Sequence, residues 1–130
     1  MRSSNRKNRP YQVKKTGIKD EYIDRQVLAI HAAIADKMLH HPELVPQVRE
    51  TLEQRRDVGR MGYGEYITWD SILDIIDDAK DFRKAILEDT PKMRRLRRKT
   101  PFVNILTEEE RQQALMDNAA GVLTSLDNLF

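Results

Sequence analysis

Apolar residues recur at helical spacing along most of this chain, and the first such stretch is the most regular. Its apolar positions follow one another at steps of three and four: Ile23, Val27, Ile30, Ile34 and Met38. This spacing places them on one stripe of an amphipathic helix. The helix is predicted to run from about Lys19 to His40, because Pro42 disfavours helical backbone in the residue before it.

A second amphipathic stretch begins near Pro42, and the helix that it predicts buries Val48 and Leu52. Pro46 leaves two options for the start of this helix. Either the proline lies late in the first turn, where a missing backbone donor is tolerated, or the helix begins further along the chain.

Three glycines then interrupt the pattern, at Gly59, Gly62 and Gly64, and we interpret the segment VGRMGYGEY as a connection between helices. A phosphate-binding glycine loop is the alternative. It requires a preceding strand and usually a lysine that enters a helix, and the pattern here has neither. Beyond the glycines a helical core pattern surrounds Trp69 and continues, with or without a bend, through Asp78–Glu88.

Helix boundaries are marked most clearly in the last third of the chain. Thr90–Pro91 is typical of an N-cap followed by proline at the first helical position, and Thr100–Pro101 ends the short basic helix that follows. Thr107 with Glu110 forms a capping box for a helix over about Glu108–Met116. No alternating strand pattern accompanies these helices. The predicted fold is therefore all-α, a compact bundle of five or six helices.

The composition limits the class of protein further. A chain of 130 residues with 34% charged and 39% hydrophobic residues fits one small domain whose core is assembled from amphipathic helices. No apolar run approaches the roughly 20 residues that span a bilayer, and the N-terminus lacks the apolar centre of a secretion signal. We expect a soluble, cytoplasmic protein without membrane contact. The absence of cysteine excludes disulfides, thiolate metal sites and cysteine nucleophiles.

Charge is distributed unevenly along the chain. Residues 1–19 carry a charge of +7, and the remaining residues, with 16 basic and 21 acidic side chains, carry −5. The cations of the N-terminal segment are Arg2, Arg6, Lys7, Arg9, Lys14, Lys15 and Lys19. A positive segment without apolar periodicity buries too little surface to offset its ordering entropy. We therefore predict a disordered basic arm over residues 1–18, a helical domain over 19–116 and an amphipathic tail over 117–130.

A second basic cluster lies within the helical domain. Its cations are Arg94, Arg95, Arg97, Arg98 and Lys99. Met93 and Leu96 are spaced by three and give the short helix an inner edge, so we expect partial neutralisation of these charges by acids of the domain. Direct contact with phosphates is the alternative function of this cluster, although no aromatic residue is interleaved with it.

Four acidic residues are predicted to share one helical face, at positions i, i+3, i+4 and i+7: Asp74, Asp77, Asp78 and Asp81. Such a face binds a cation, imitates nucleic-acid phosphate towards a basic partner, pairs with the basic helix, or is simply solvated. Nothing around these carboxylates indicates tuned pKa values, so catalysis by them is not predicted.

Histidines and hydroxyls indicate no catalytic or metal centre. We predict helix-end or surface positions for His31, His40 and His41, because a metal site requires further ligands at compatible spacing. Ser71 and Ser125 lack the context of a nucleophile. We therefore expect no metal, no cofactor and no enzymatic activity.

The C-terminal tail has a sparse amphipathic pattern that Gly121 interrupts. Its large apolar residues are Val122, Leu123, Leu126, Leu129 and Phe130. Such a segment folds back on the domain or docks on a partner.

The order of these segments resembles that of a family of small bacterial all-helical proteins often encoded beside toxin genes. The resemblance spans about Asp24 to Leu115. It is carried by VLAIHAAIADKMLHHPELV, YGEYITWDSIL, LEDTPKMRRLRRKTPF and ILTEEER. The clearest matching positions are His31, Pro42, Leu44, Trp69, Leu96–Arg97, Pro101–Phe102, Leu106 and Glu109–Arg111. The resemblance implies an antitoxin, which holds a toxin inactive by binding it.

Two functions follow as expectations. The first is an antitoxin or accessory component of a toxin–antitoxin pair, which contacts the toxin through the tail or through the acidic face and can form oligomers. The second is a nucleic-acid-binding regulator that uses the basic arm and the Arg94–Lys99 cluster, with DNA as a possible partner. Both can coexist in one protein, because an antitoxin can also repress its own operon.

Overall fold

The computed structural model describes the backbone of residues 18–129 and the side chains of residues 19–119. Six α-helices and one 3₁₀ turn lie in this range, and the same range contains no strand, which confirms the predicted all-helical class. The helices are α1 (Ile18–His40), α2 (Val45–Asp57), α3 (Tyr63–Asp74), α4 (Ala79–Ile86), α5 (Pro91–Arg97) and α6 (Glu108–Leu129), with the 3₁₀ turn at Pro42–Leu44. The predicted basic arm lies outside the described residues.

The start of α2 resolves the question raised by its prolines. Pro42 opens the 3₁₀ turn rather than the α-helix, and α2 begins at Val45 with Pro46 in its first turn. The helix thus begins later than Pro42, which is the second of the two options. Pro46 is tolerated in the first turn because the donor that it removes has no helical acceptor there.

Gly59 ends α2 with a left-handed residue. Its φ of 75° is accessible to glycine at little cost. Its N–H donates to the Arg56 carbonyl at 3.1 Å, and the Arg60 N–H donates to the Arg55 carbonyl at 2.8 Å, the two bonds of a Schellman motif. Residues 58–62 therefore form the helix end and the connection that were predicted, whereas the last four residues of the segment, from Tyr63, already belong to α3.

The core lies among α1 to α5 and the loop before α6, and it is built around Trp69 and Phe102, whose rings meet edge to face with centroids 5.6 Å apart. Each helix from α1 to α5 buries at least two side chains in it. The fully buried large residues include Trp69, Phe82, Met38, Leu52, Leu73 and Ile86. Aromatic rings of this size supply a large share of the buried apolar area, so they fix how α3 and the loop before α6 meet.

The segment between α3 and α4 departs from the prediction. The four acidic residues do not lie on one helical face, because the helix ends at Asp74 and resumes only at Ala79. Asp78 is the N-cap of α4, and its side chain accepts a hydrogen bond from the Asp81 N–H at 3.1 Å. Local capping by aspartate therefore breaks a helix that the apolar periodicity alone would continue.

The caps predicted for the last two helices are confirmed. The Thr90 hydroxyl accepts from the Met93 N–H at 3.2 Å, and Pro91 occupies the first turn of α5. At α6 the capping box is reciprocal: Glu110 N–H donates to the Thr107 hydroxyl at 3.1 Å, and Thr107 N–H donates to the Glu110 carboxylate at 2.8 Å. The α6 backbone continues past the predicted end near Met116, without a break at Gly121, to Leu129.

Candidate interaction surfaces

The acidic residues are distributed over separate local structures. Asp74 accepts a hydrogen bond from Arg49 at 2.7 Å, and Asp70 accepts another from the same guanidinium at 2.5 Å. These contacts join α2 to α3, and the hydrogen bond to Asp74 is the largest cause of the raised pKa of Arg49. Asp77 and Asp81 are exposed and have no ion pair within residues 19–119. A continuous acidic docking face is therefore not present at Asp74–Asp81.

The basic helix α5 is oriented as predicted. Met93 and Leu96 are buried, and acidic residues of the domain form ion pairs with several cations of the cluster. Arg94 donates to Asp89 at 2.7 Å, and this hydrogen bond lowers the pKa of Asp89. Arg98 donates to Asp24 at 2.8 Å, beside the first turns of α1. Partial neutralisation of the cluster is thus confirmed.

Arg97 differs from the other cations of α5, and its predicted place on a phosphate-binding surface is wrong. Its side chain is only 2% exposed. It donates to the carbonyls of Ile86 at 3.1 Å and Glu88 at 2.8 Å, where α4 ends. Desolvation lowers the pKa of Arg97 from its ordinary value. This guanidinium caps the end of α4 and is not part of an exposed basic surface.

His31 is also placed differently from the prediction, because it lies in the core. Its Nδ1 is 2.8 Å from the Val27 carbonyl, which can only accept, so Nδ1 carries the proton. Nε2 then accepts from the Thr100 hydroxyl at 2.9 Å, and that hydroxyl accepts from the Phe102 N–H at 3.2 Å. Desolvation, aided by the charge of Arg97, lowers the pKa of His31 to about 4. A neutral histidine therefore ties α1 to the chain after α5.

The other two histidines occupy the predicted helix-end and surface positions. His40 donates from Nδ1 to the Asp36 carbonyl at 2.7 Å, and His41 lies 3.0 Å from the Glu43 carboxylate. Within residues 19–119, no group of three or more histidine or acidic side chains is arranged to hold a metal ion.

Two clefts open on the described surface. One of about 230 Å³ lies between α1 and α5, and both signs of charge line it. Its lining residues are Glu21, Asp24, Arg25, Leu28, Asp89, Arg94 and Arg97. The other, of about 380 Å³, lies between α1 and α6, where Ala33 and Ala114 supply small apolar side chains. The ion pair from Lys37 to Glu110, at 2.7 Å, lies beside this second cleft.

The first half of α6 runs close along α1, where the two helices meet more extensively than any other pair, yet it buries few side chains. Among side chains 108–119, Ala114 alone is buried, whereas Met116 is 63% exposed. The predicted tail residues Val122, Leu123, Leu126, Leu129 and Phe130 lie beyond the described side chains. The candidate docking segment therefore continues a half-helix that contributes little to the core.

A further surface was missed by sequence reasoning, at the end of the molecule where α2 and α5 finish and α3 begins. Arg55 donates to the carbonyls of Lys99 and Thr100 at 2.9 and 3.0 Å, and the guanidinium of Arg56 lies 4.5 Å from the centre of the Tyr66 ring. Tyr63 is the most exposed large apolar side chain described, at 76%. Only the fold brings the basic residues at the end of α2 to the end of α5.

Comparison with known proteins assigns no family to this chain. No family model, no curated protein and no solved structure matches it. Within the described helices, none has both the length and the apolar character needed to cross a bilayer.

Proposed function

We propose that this protein acts by binding a partner protein stoichiometrically, as an antitoxin or accessory component of a bacterial toxin–antitoxin pair. The observation that carries the proposal is the attachment of α6. This helix has 22 residues, and its first twelve bury only Ala114. A helix of this length that leaves most of its described side chains exposed is suited to docking against a second protein.

The apolar content of α6 supports the same proposal. The sequence places Val122, Leu126 and Leu129 at steps of four and three along a backbone that remains helical. Met116, which is exposed, lies six residues before Val122 and therefore on another face of the same helix. Apolar residues at this spacing are the anchors of a helix that lies in a partner's groove. Masking the functional surface of a toxin requires such contacts and no catalytic group.

The resemblance of residues 24–115 to small proteins encoded beside toxin genes supports the choice of a toxin as the partner. Asp77 and Asp81, which remain exposed at the start of α4, are available to basic residues of that partner. The Asp74–Asp81 group as a single docking face is not part of the proposal.

Co-expression with the product of the adjacent gene tests the proposal. The full chain is expected to co-purify with that protein and to relieve its effect on growth. A chain that ends at Met116 is expected to keep the helical circular-dichroism spectrum of its domain but to lose the partner. Retained binding by the truncated chain would remove the tail from the mechanism.

A point substitution separates docking from folding. Met116→Glu is expected to weaken the complex at least about tenfold, because a charge is placed in a desolvated contact. Val58→Glu is the matched control, since Val58 is 61% exposed and Met116 63%. Equal affinities of the two variants would contradict docking through the Met116 face of α6.

A further inference from the structure

The ends of three helices meet on one side of the molecule. The Arg55 guanidinium of α2 bonds the carbonyls of Lys99 and Thr100, just past the end of α5. The Lys99 ammonium lies 3.7 Å from the carboxylate of Glu65, in the first turn of α3. Basic residues from two distant stretches of sequence therefore converge beside the start of α3.

The cations at this end are weakly paired. Arg60 and Arg95 are exposed and have no carboxylate within salt-bridge distance in the described part of the chain. Arg56 has only a long, solvent-exposed ion pair, of 3.5 Å with Asp57, which contributes little free energy and which an incoming phosphate can replace. Lys99 is exposed, but its partner Glu65, at 3.7 Å, is largely buried.

An aromatic side chain accompanies these cations. Tyr63 opens α3, three residues after Arg60, and is 76% exposed. Its neighbours Gly62 and Gly64 have no heavy atom within 4 Å of the position that a Cβ would occupy, so nothing crowds the backbone there. An open aromatic ring next to cations offers a base both a stacking surface and charge for its phosphates.

We infer that this surface, formed by Arg56, Arg60, Tyr63, Arg95 and Lys99, binds single-stranded nucleic acid. The cations contact consecutive phosphates, and an unpaired base stacks on Tyr63. A duplex fits less well, because its bases are already stacked on one another. The inference goes beyond the proposed function, and neither one depends on the other, since α6 is not part of this surface.

Binding is measured by fluorescence anisotropy with the full chain and a fluorescein-labelled RNA strand of mixed sequence. The same strand as DNA, and both strands annealed to their complements, are measured in parallel. Arg60→Gln/Lys99→Gln is expected to weaken binding of the single strand about tenfold near 0.15 M salt. It should reduce the slope of log affinity against log salt by about 1.4, or roughly 0.7 for each lost phosphate contact.

The matched control is Lys80→Gln/Lys84→Gln, which removes the same charge from exposed positions of α4. Lys80 and Lys84 lie close to Arg83, which pairs with Asp36 of α1. Arg98, the neighbour of Lys99 in the proposed surface, pairs with Asp24, twelve residues before Asp36 on the same helix. The control positions are therefore about 18 Å from the surface along α1. Affinity should change less than about twofold in the control, because its two lysines lie outside the surface and contact no phosphate of the bound strand. The basic arm is identical in all variants.

Tyr63 tests the stacking contact. Tyr63→Ala is expected to weaken single-strand binding at least about fivefold, and Tyr63→Phe, which keeps the ring, should restore it. Equal effects of the two double variants would overturn the inference in favour of the arm. Tighter binding of duplex than of single strand, no loss in Tyr63→Ala, or no binding of any probe at low salt would also overturn it.

Discussion

Helices α5 and α6 are both rich in charge, yet they are attached to the domain in opposite ways. The seven residues of α5 include three buried side chains, Met93, Leu96 and Arg97, and its cations pair with acids of α1 and of the preceding loop. The first twelve residues of α6 run along α1 and form an ion pair with it, from Lys37 to Glu110, but they bury only Ala114. Charge density therefore does not indicate which helix is free to bind.

The two helices differ in how they are anchored to the domain and in how much of their surface is free to bind. In α5 the apolar residues at spacing three fix the rotation of the helix, and the cations then meet whatever acids the neighbouring helices present. In α6 the capping box fixes where the helix starts, and the helix then lies along α1 with Ala114 as the only buried side chain of its described part. The shorter and more charged helix is thus the structural one, and the longer helix is the candidate for docking.

The largest effect that would test this contrast is expected at Leu96. Leu96→Ala should lower the free energy of unfolding by roughly 2–4 kcal/mol, because the residue is buried and truncation leaves a cavity. Arg95→Ala, one position earlier and exposed, should cost below roughly 1 kcal/mol. Urea unfolding measures both, and equal small losses would show that α5 is not anchored by its apolar edge.

The second-largest effect is expected from acid, which should weaken the attachment of α5 to α1. His31 has a folded pKa of about 4, against an ordinary value of 6.5. The unfolded chain therefore binds a proton before the folded one does, and stability falls as the pH drops from about 6.5 to about 4. The total loss is about 3 kcal/mol, from about 1.4 kcal/mol for each unit of difference.

Urea unfolding at several pH values checks this expectation, and His31→Gln is the control. The variant should be less stable at pH 7 but much less dependent on pH above about 4, because histidine is the group that titrates in that window. Asp89 and Glu110, whose pKa values are lowered by Arg94 and Lys37, lose their contributions at more acidic pH. An unchanged pH dependence in the variant would assign the effect to another group.

The smallest effect is expected at α6. Thr107→Ala removes the hydroxyl that caps the helix and should cost about 1 kcal/mol. Because no described residue of α6 belongs to the main core cluster, the loss should appear mainly as faster hydrogen exchange of α6 amides, with the amides of α1 and α3 little affected. Equal acceleration in all helices would show that α6 is an integral part of the core and would weaken its assignment as a docking element.

Local features of this protein were predictable because they depend on residues that are close in sequence. The apolar stripe of α1, the Thr90 cap and the Thr107 and Glu110 capping box all act within one helical turn, and each is present in the structure. The rotation of α5 was predictable for the same reason, since Met93 and Leu96 alone determine which side faces inward.

The break between α3 and α4 was a local feature that apolar periodicity concealed. Ile72, Ile76 and Phe82 continue a helical pattern across it, yet Asp78 caps a new helix. The signal that could have located the break was the spacing of Asp78 and Asp81, which matches an N-cap and its third helical residue. When capping and periodicity conflict, the packing of the surrounding helices decides between them.

The sequence by itself determined the helices, most of their ends and the class of fold, because these depend on spacing and on short-range hydrogen bonds. Only the tertiary structure decided which polar residues are buried. Arg97 is buried because the end of α4 presents two free carbonyls to it, and His31 is buried because Thr100, 69 positions away, completes its hydrogen bonds. Tertiary packing likewise brought Arg55 and Glu65 to the end of α5, since no spacing along the chain records which helix ends meet.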